Sequence, residues 1–224
     1  MTRTLITVLA LGAVAVVATG ATVAVGSRTV GVQTRFLTHA TCTLGSGQTT
    51  DTYLEGQPPK SQDNTHGSDT TLLTDANTGR FKEALIAFDL TSSVCPHLIG
   101  AEVDSSVLTL NASSVTAAPR TIDFDRVTSS WSGSTSYDTA PTASGTPSVT
   151  ATASGAGSFS VDLTADVDDF AQSESAPPLA PYGGSIANDG WELVDANAAT
   201  KDATVTMSSS EGSSPPQLQI SYAY

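Results

Sequence analysis

The chain has 224 residues, only 14% of them charged, and a formal net charge of −13. That length suits one domain of sandwich or barrel size. So acidic a surface repels phosphate backbones, which sets nucleic acid aside, and it disfavours anionic polysaccharides and anionic lipid while suiting an extracellular or divalent-cation-rich setting.

The first element in chain order is MTRTLITVLALGAVAVVATGATVAVGS. Arg3 supplies a basic start, Leu5 to Val25 is apolar apart from threonine and glycine, and small residues near Ala18 and Ala24 suit signal peptidase. The apolar run also spans the roughly 20 residues a membrane helix needs. Residues 1–26 therefore read as a signal peptide or a membrane anchor. Membrane contact is expected only through this segment, and only if it stays uncleaved. Residues 27–50 are polar and threonine-rich. They read as a linker, an extra edge strand, or an arm that reaches another subunit.

Two cysteines, Cys42 and Cys95, read as a disulfide in an exported chain. Closing a loop of that length removes on the order of 4 kcal/mol of unfolded-state entropy. His39, His66 and His97 show no zinc-like spacing with them.

From Asp51 to the end the pattern is short alternating runs. Ile86, Phe88 and Leu90 share one face of EALIAFDL, with Leu85 on the other. Ser106, Leu108 and Leu110 share a face of SSVLTLNA. Ile122 and Phe124 alternate with Asp123 and Asp125, and Phe159, Val161 and Leu163 alternate with Ser160 and Asp162. Val205 and Met207, then Leu218, Ile220, Tyr222 and Tyr224, complete the set. Period two with one apolar face marks half-buried antiparallel strands. The Gly-, Ser- and Thr-rich stretch 142–158 is low in complexity and reads as a mobile loop with one short strand. One helix is expected, TADVDDFAQ, capped by Thr164, with Asp166, Asp168 and Asp169 at its positive end and Val167 and Phe170 on one face. Many strands and one short helix predict an all-β fold, an antiparallel jelly-roll β-sandwich over residues 51–224.

Several stretches, in order, resemble the DNRLRE (disaggregatase-related) β-sandwich domain, akin to jelly-roll carbohydrate-binding modules. They are DTYLEG with HGSDTTLLT, EALIAFDLTS, GAEVDSSVLTLNA, RVTSSWSGSTSYDTAP, GSFSVDLTADVDDF, and NDGWELVDAN with SSSEGSSPPQLQISY. The resemblance implies an extracellular module, and some related modules bind carbohydrates, including alginate. Ala87 stands where the family carries arginine or lysine, and basic residues are scarce across the region. An acidic ligand is therefore not expected.

Trp131 and Tyr137 are candidate sugar-contact residues, together with Tyr182, because aromatic faces accept sugar rings. The alternative for Trp131 is a plug at the end of the sandwich, since burying such a ring removes roughly 150–250 Å² from water. Trp191 shares a face with Leu193 and reads as core. Asp189, Asp195 and Asn197 are candidate ligands for structural calcium, which takes oxygen donors from carboxylates and carbonyls; Asp51, Asp69 and Asp75 form a second candidate group. The alternative for both groups is ordinary turn chemistry. No nucleophile elbow or phosphate loop is present.

These observations point to an exported, non-catalytic β-sandwich at the cell surface or in the matrix. It would act in adhesion or in contact with a neutral polysaccharide or surface glycan. The alternative is a self-assembling fibre subunit, with residues 27–46 adding as a strand to a neighbour and calcium at the junction.

Overall fold

A computed structural model of the chain describes residues 37–56, 63–77, 81–174, 186–197 and 203–224. The expectations for residues 1–26 and for the first part of the arm fall outside these residues. Contacts separate Met1–Thr38 from a unit running His39–Tyr224, and the second unit holds the fold. No described helix is long and apolar enough to cross a membrane.

The strands are β1 (His39–Leu44), β2 (Thr49–Gly56), β3 (Thr71–Asp75), β4 (Phe81–Phe88), β5 (Glu102–Val115), β6 (Arg120–Arg126), β7 (Val149–Ala153) and β8 (Gly157–Asp162). Helix α1 (Thr164–Ser173) follows, then β9 (Trp191–Asp195), β10 (Thr204–Ser208) and β11 (Gln217–Ala223). The hydrogen-bonded order is β1-β11-β5-β10-β3-β4-β9-β6-β7, with β2 joined to β4 and β8 to β5. Strands β3 and β4 meet through the single pair Asp75↔Lys82, so the two layers of an antiparallel sandwich are joined there only lightly.

Alternation fixes the inner faces. Ala84, Ile86 and Phe88 of β4, Ile122 and Phe124 of β6, Trp191 and Leu193 of β9, and Leu218, Ile220 and Tyr222 of β11 enter one core. Each large side chain buried there contributes about 1.5–3 kcal/mol. Within the low-complexity stretch, β7 turns Ala151 and Ala153 into that core. Tyr224, expected to continue the β11 face, is instead 43% exposed and stacks on His97 at 4.6 Å.

Helix α1 forms where expected, with Val167 and Phe170 fully buried, but its cap differs. Leu163 is the capping residue, and it makes no side-chain cap bond. Thr164 lies inside the first turn, and its N–H donates to the Asp162 carboxylate at 2.9 Å. Asp162 thus does the work assigned to Thr164, and the Thr164 hydroxyl and N–H, both donating to its carboxylate, hold its pKa below the usual carboxylate value. The helix aspartates are tertiary ligands too. Asp168 accepts the Val103 N–H, and Asp166 and Asp169 hold Arg126.

Strand β1 pairs along its whole length with β11, from His39↔Ala223 to Leu44↔Leu218. That part of the arm is therefore satisfied within its own chain. Cys42 on β1 is bonded to Cys95, as expected from the cysteine pair.

Candidate functional site

The layer containing β2, β4, β9, β6 and β7 turns a second face away from the main core. Residues directly paired in register point to the same side. Leu54↔Glu83 and Thr52↔Leu85 join β2 to β4, Leu85↔Glu192 joins β4 to β9, and Asp125↔Glu192 joins β9 to β6. The outer face thus carries Leu54, Glu83, Leu85, Glu192, Asp125 and, two residues on, Val127.

Leu54, Leu85 and Val127 are fully buried on this face, in a small cluster covered by the half-buried Trp131 and Tyr137. The structure therefore brings Trp131 and Tyr137 together. The Trp131 indole N–H donates to the Asp189 carbonyl at 2.7 Å, which locks the ring. Tyr137 meets Phe81 edge-on at 5.1 Å. Gly190 lets this loop approach: its φ is +75°, and a Cβ there would lie 2.1 Å from the Ile86 carbonyl oxygen. The Trp131 ring thus plugs a small core, the packing alternative for it, and remains incompletely covered.

Beside this shelf stands a row of carboxylates. Burial, followed by the charges of Glu83 and Asp125, pushes the Glu192 carboxyl up to about 7. Glu83 is raised by burial and then by the charge of Asp125. Asp125 is 8% exposed, is raised by burial and then by Asp123, and has one carboxylate oxygen without a hydrogen-bond donor. The described lysine and arginine residues are committed elsewhere: Lys82 to Glu55, Arg120 to Asp195, and Arg126 to Asp166 and Asp169. No described cation neutralises the row.

A raised carboxyl binds its proton more tightly in the folded state, so its contribution is full below the unfolded value of 4.5 and is lost as pH rises through about 7. The chain is expected to lose about 2 kcal/mol between about pH 5 and pH 8 through Glu192, a figure discounted for partial exposure. Urea melts of wild type and Glu192→Gln across that range check this. Parallel curves for the two proteins would contradict it.

The calcium candidates do not converge. Asp189 precedes β9 and Asp195 ends it, and Asp195 is buried against the Arg120 guanidinium, whose Nε lies 2.8 Å from its Oδ2. The other Asp195 oxygen accepts the Asn197 N–H, and Asn197 Oδ1 accepts the Thr121 N–H at 2.6 Å. Turn and ion-pair chemistry thus engages Asp195 and Asn197. In the second group, Asp51 accepts the Ser210 N–H, Asp69 pairs with His66, and Asp75 accepts the Asn77 N–H. Among the described residues, no group of three or more His, Cys, Asp or Glu is arranged to hold a metal. Tyr182 lies outside the described residues.

Alternation places Asp123 and Asp125 opposite Ile122 and Phe124, and the Trp191/Leu193 face leaves Glu192 on the other side of its strand. Alternation could not join them, because strand neighbours are set by topology. A second surface feature is an open depression of 580 Å³ lined by residues that include Thr71, Asn111, Ser113, Ser208 and Glu211. It carries hydroxyls and amides but no aromatic ring.

The model of carbohydrate-binding module family 96 matches residues 44–222, nearly the same stretch that carries the ordered strand segments. No curated protein matches the chain. With that match running from the end of β1 into β11, the chain belongs to carbohydrate-binding module family 96, a family of non-catalytic carbohydrate-binding modules.

Proposed function

We propose that this chain is an exported, non-enzymatic module that contacts a polysaccharide or surface glycan lacking acidic groups, at the cell surface or in the matrix. The outer face of β4, β9 and β6 is its binding surface. The observation that carries this reading is the Trp131 shelf, a ring fixed by its bond to Asp189 and backed by Leu54, Leu85 and Val127. A rigid aromatic gives contact area to a sugar ring with little entropy left to lose. The net charge of −13 opposes acidic glycans.

Affinity electrophoresis of the full chain through a panel of polysaccharides tests this. Trp131→Ala is expected to weaken retention on the order of tenfold, with Trp131→Phe retaining most of it. Ser113→Arg, which obstructs the polar depression, is expected to leave retention unchanged. Loss of retention with Ser113→Arg, and not with Trp131→Ala, would move the site to the depression. Thermal melts of each variant separate binding loss from unfolding.

A further inference from the structure

The carboxylate row asks for a partner. Three acids stand on three successive strands: Asp125 of β6 pairs in register with Glu192 of β9, and Glu83 of β4 lies diagonal to Glu192, two residues from its partner Leu85 on the same face. Such a row is costly to keep without a cation, and a buried acceptor without a donor is costlier still. Asp125 is both buried and short of a donor at one oxygen. That oxygen belongs to a side chain in the direct partner position to Glu192, on the face that carries the aromatic shelf.

We propose that this row recognises the protonated amino groups of a carbohydrate, so that the ligand is a polysaccharide containing unacetylated amino sugars. The inference rests on the carbohydrate-binding reading above and narrows its ligand class. An ammonium group offers three donors, which suits a row with one acceptor oxygen left without a donor, on Asp125, and no described cation. A metal ion is disfavoured, since no described group has a metal-holding arrangement. An anionic sugar would meet Glu83, Asp123, Asp125 and Glu192 together. A neutral sugar would leave the charge of the row uncompensated.

The strands of a sheet lie roughly 4.8 Å apart, so carboxylates on β4, β9 and β6 are spaced on a scale comparable to one pyranose unit. Trp131 and Tyr137, flanking the row over Leu85 and Val127, would support the apolar faces of the rings. Shelf and acids therefore act on one occupant: the shelf takes the ring and the acids take its amine.

Isothermal titration calorimetry of the full chain near neutral pH, with EDTA present, tests the proposal. The probes are oligomers of glucosamine, their N-acetylated counterparts, oligomers of glucose, and polylysine. Glucosamine oligomers are expected to bind, with the N-acetylated and glucose series at least about tenfold weaker, the equivalent of one charge-assisted hydrogen bond. Glu192→Gln and Glu83→Gln should each weaken the glucosamine series by about the same factor. They should melt no lower than wild type, because each removes a like charge from the row. Added salt should weaken binding.

Equal binding of the acetylated or glucose series, unchanged by Glu192→Gln, would overturn the amine inference and leave the carbohydrate reading standing. Failure of every sugar here would overturn the amine inference, and failure across the polysaccharide panel as well would overturn the carbohydrate reading itself. Polylysine binding as tightly as the glucosamine series, with the same response to Glu192→Gln, would overturn the proposal in favour of a general cation surface.

Discussion

Replacing Asp166 by alanine is expected to destabilise the chain by about 3–5 kcal/mol, because it leaves the Trp191 indole and the Ser148 hydroxyl without their acceptor and Arg126 with Asp169 alone. Asp166 is 4% exposed and serves three elements. Its Oδ1 accepts from Arg126 Nε at 2.9 Å and Nη2 at 2.5 Å. Its Oδ2 accepts from the Trp191 indole at 2.6 Å and the Ser148 hydroxyl at 2.6 Å. The Arg126 guanidinium lies over the Phe170 ring at 5.6 Å, and Phe170 packs against Trp191. One carboxylate thus fixes α1 to β6 and β9. The midpoint should fall by about 10 °C or more for a chain of this size. Trp191→Phe is milder: Asp166 keeps Arg126 and Ser148, and the loss is one hydrogen bond, about 1 kcal/mol, plus an incompletely filled space. Urea unfolding of both single variants and the double variant gives the coupling between them. If Asp166→Ala melts within about 2 °C of wild type, the network does not hold the helix.

That network also shows where sequence reading stops. Alternation was enough to put Trp191 beside Leu193 on a buried face, and both are buried. It gave no sign that the indole N–H would meet Asp166, 25 positions earlier in the chain. The helix aspartates looked like dipole chemistry, a local effect. Their partners turned out to be Arg126 and the Val103 N–H, which only the folded chain brings near. Cap geometry was missed for a related reason, since Asp162 and Thr164 are both plausible caps and the backbone at Leu163 decides between them.

The candidate site divides along the same line. Trp131 and Tyr137 stood out as rare aromatics, and they do share a cluster. Asp189, Asp195 and Asn197 stood out as neighbours in sequence, yet β9 separates Asp189 from Asp195, and Arg120 takes the latter. Glu83, Asp125 and Glu192 were unremarkable because each is an ordinary outward residue on its own strand. Strand pairing alone makes them neighbours, Asp125 opposite Glu192 and Glu83 diagonal to it. Charge pattern within a strand is legible, whereas charge pattern across strands depends on pairing that no local signal encodes.

Reducing the disulfide is expected to lower the melting midpoint by about 10 °C, and here local and global effects separate. Cys42 and Cys95 are 53 residues apart in sequence, and a loop of that length corresponds to about 4 kcal/mol in the chain-entropy account. For a domain of this size each kcal/mol moves the midpoint by about 2–4 °C. The Cys95 side of the bridge has other anchors: the Tyr222 hydroxyl donates to the Pro96 carbonyl, and His97 stacks on Tyr224. Strand β1 is held by its pairing with β11 and by the bridge at Cys42. Hydrogen exchange after reduction should therefore rise first in residues 39–44, while β4 and β9 stay protected until global unfolding. Cys42→Ser with Cys95→Ser should reproduce the reduced protein. A midpoint unchanged by reduction, or exchange rising equally in β9 and β1, would show that the bridge does not pin the edge of the sandwich. If β1 alone is released, the Trp131 shelf and the carboxylate row, which lie on the other layer, should keep their ligand.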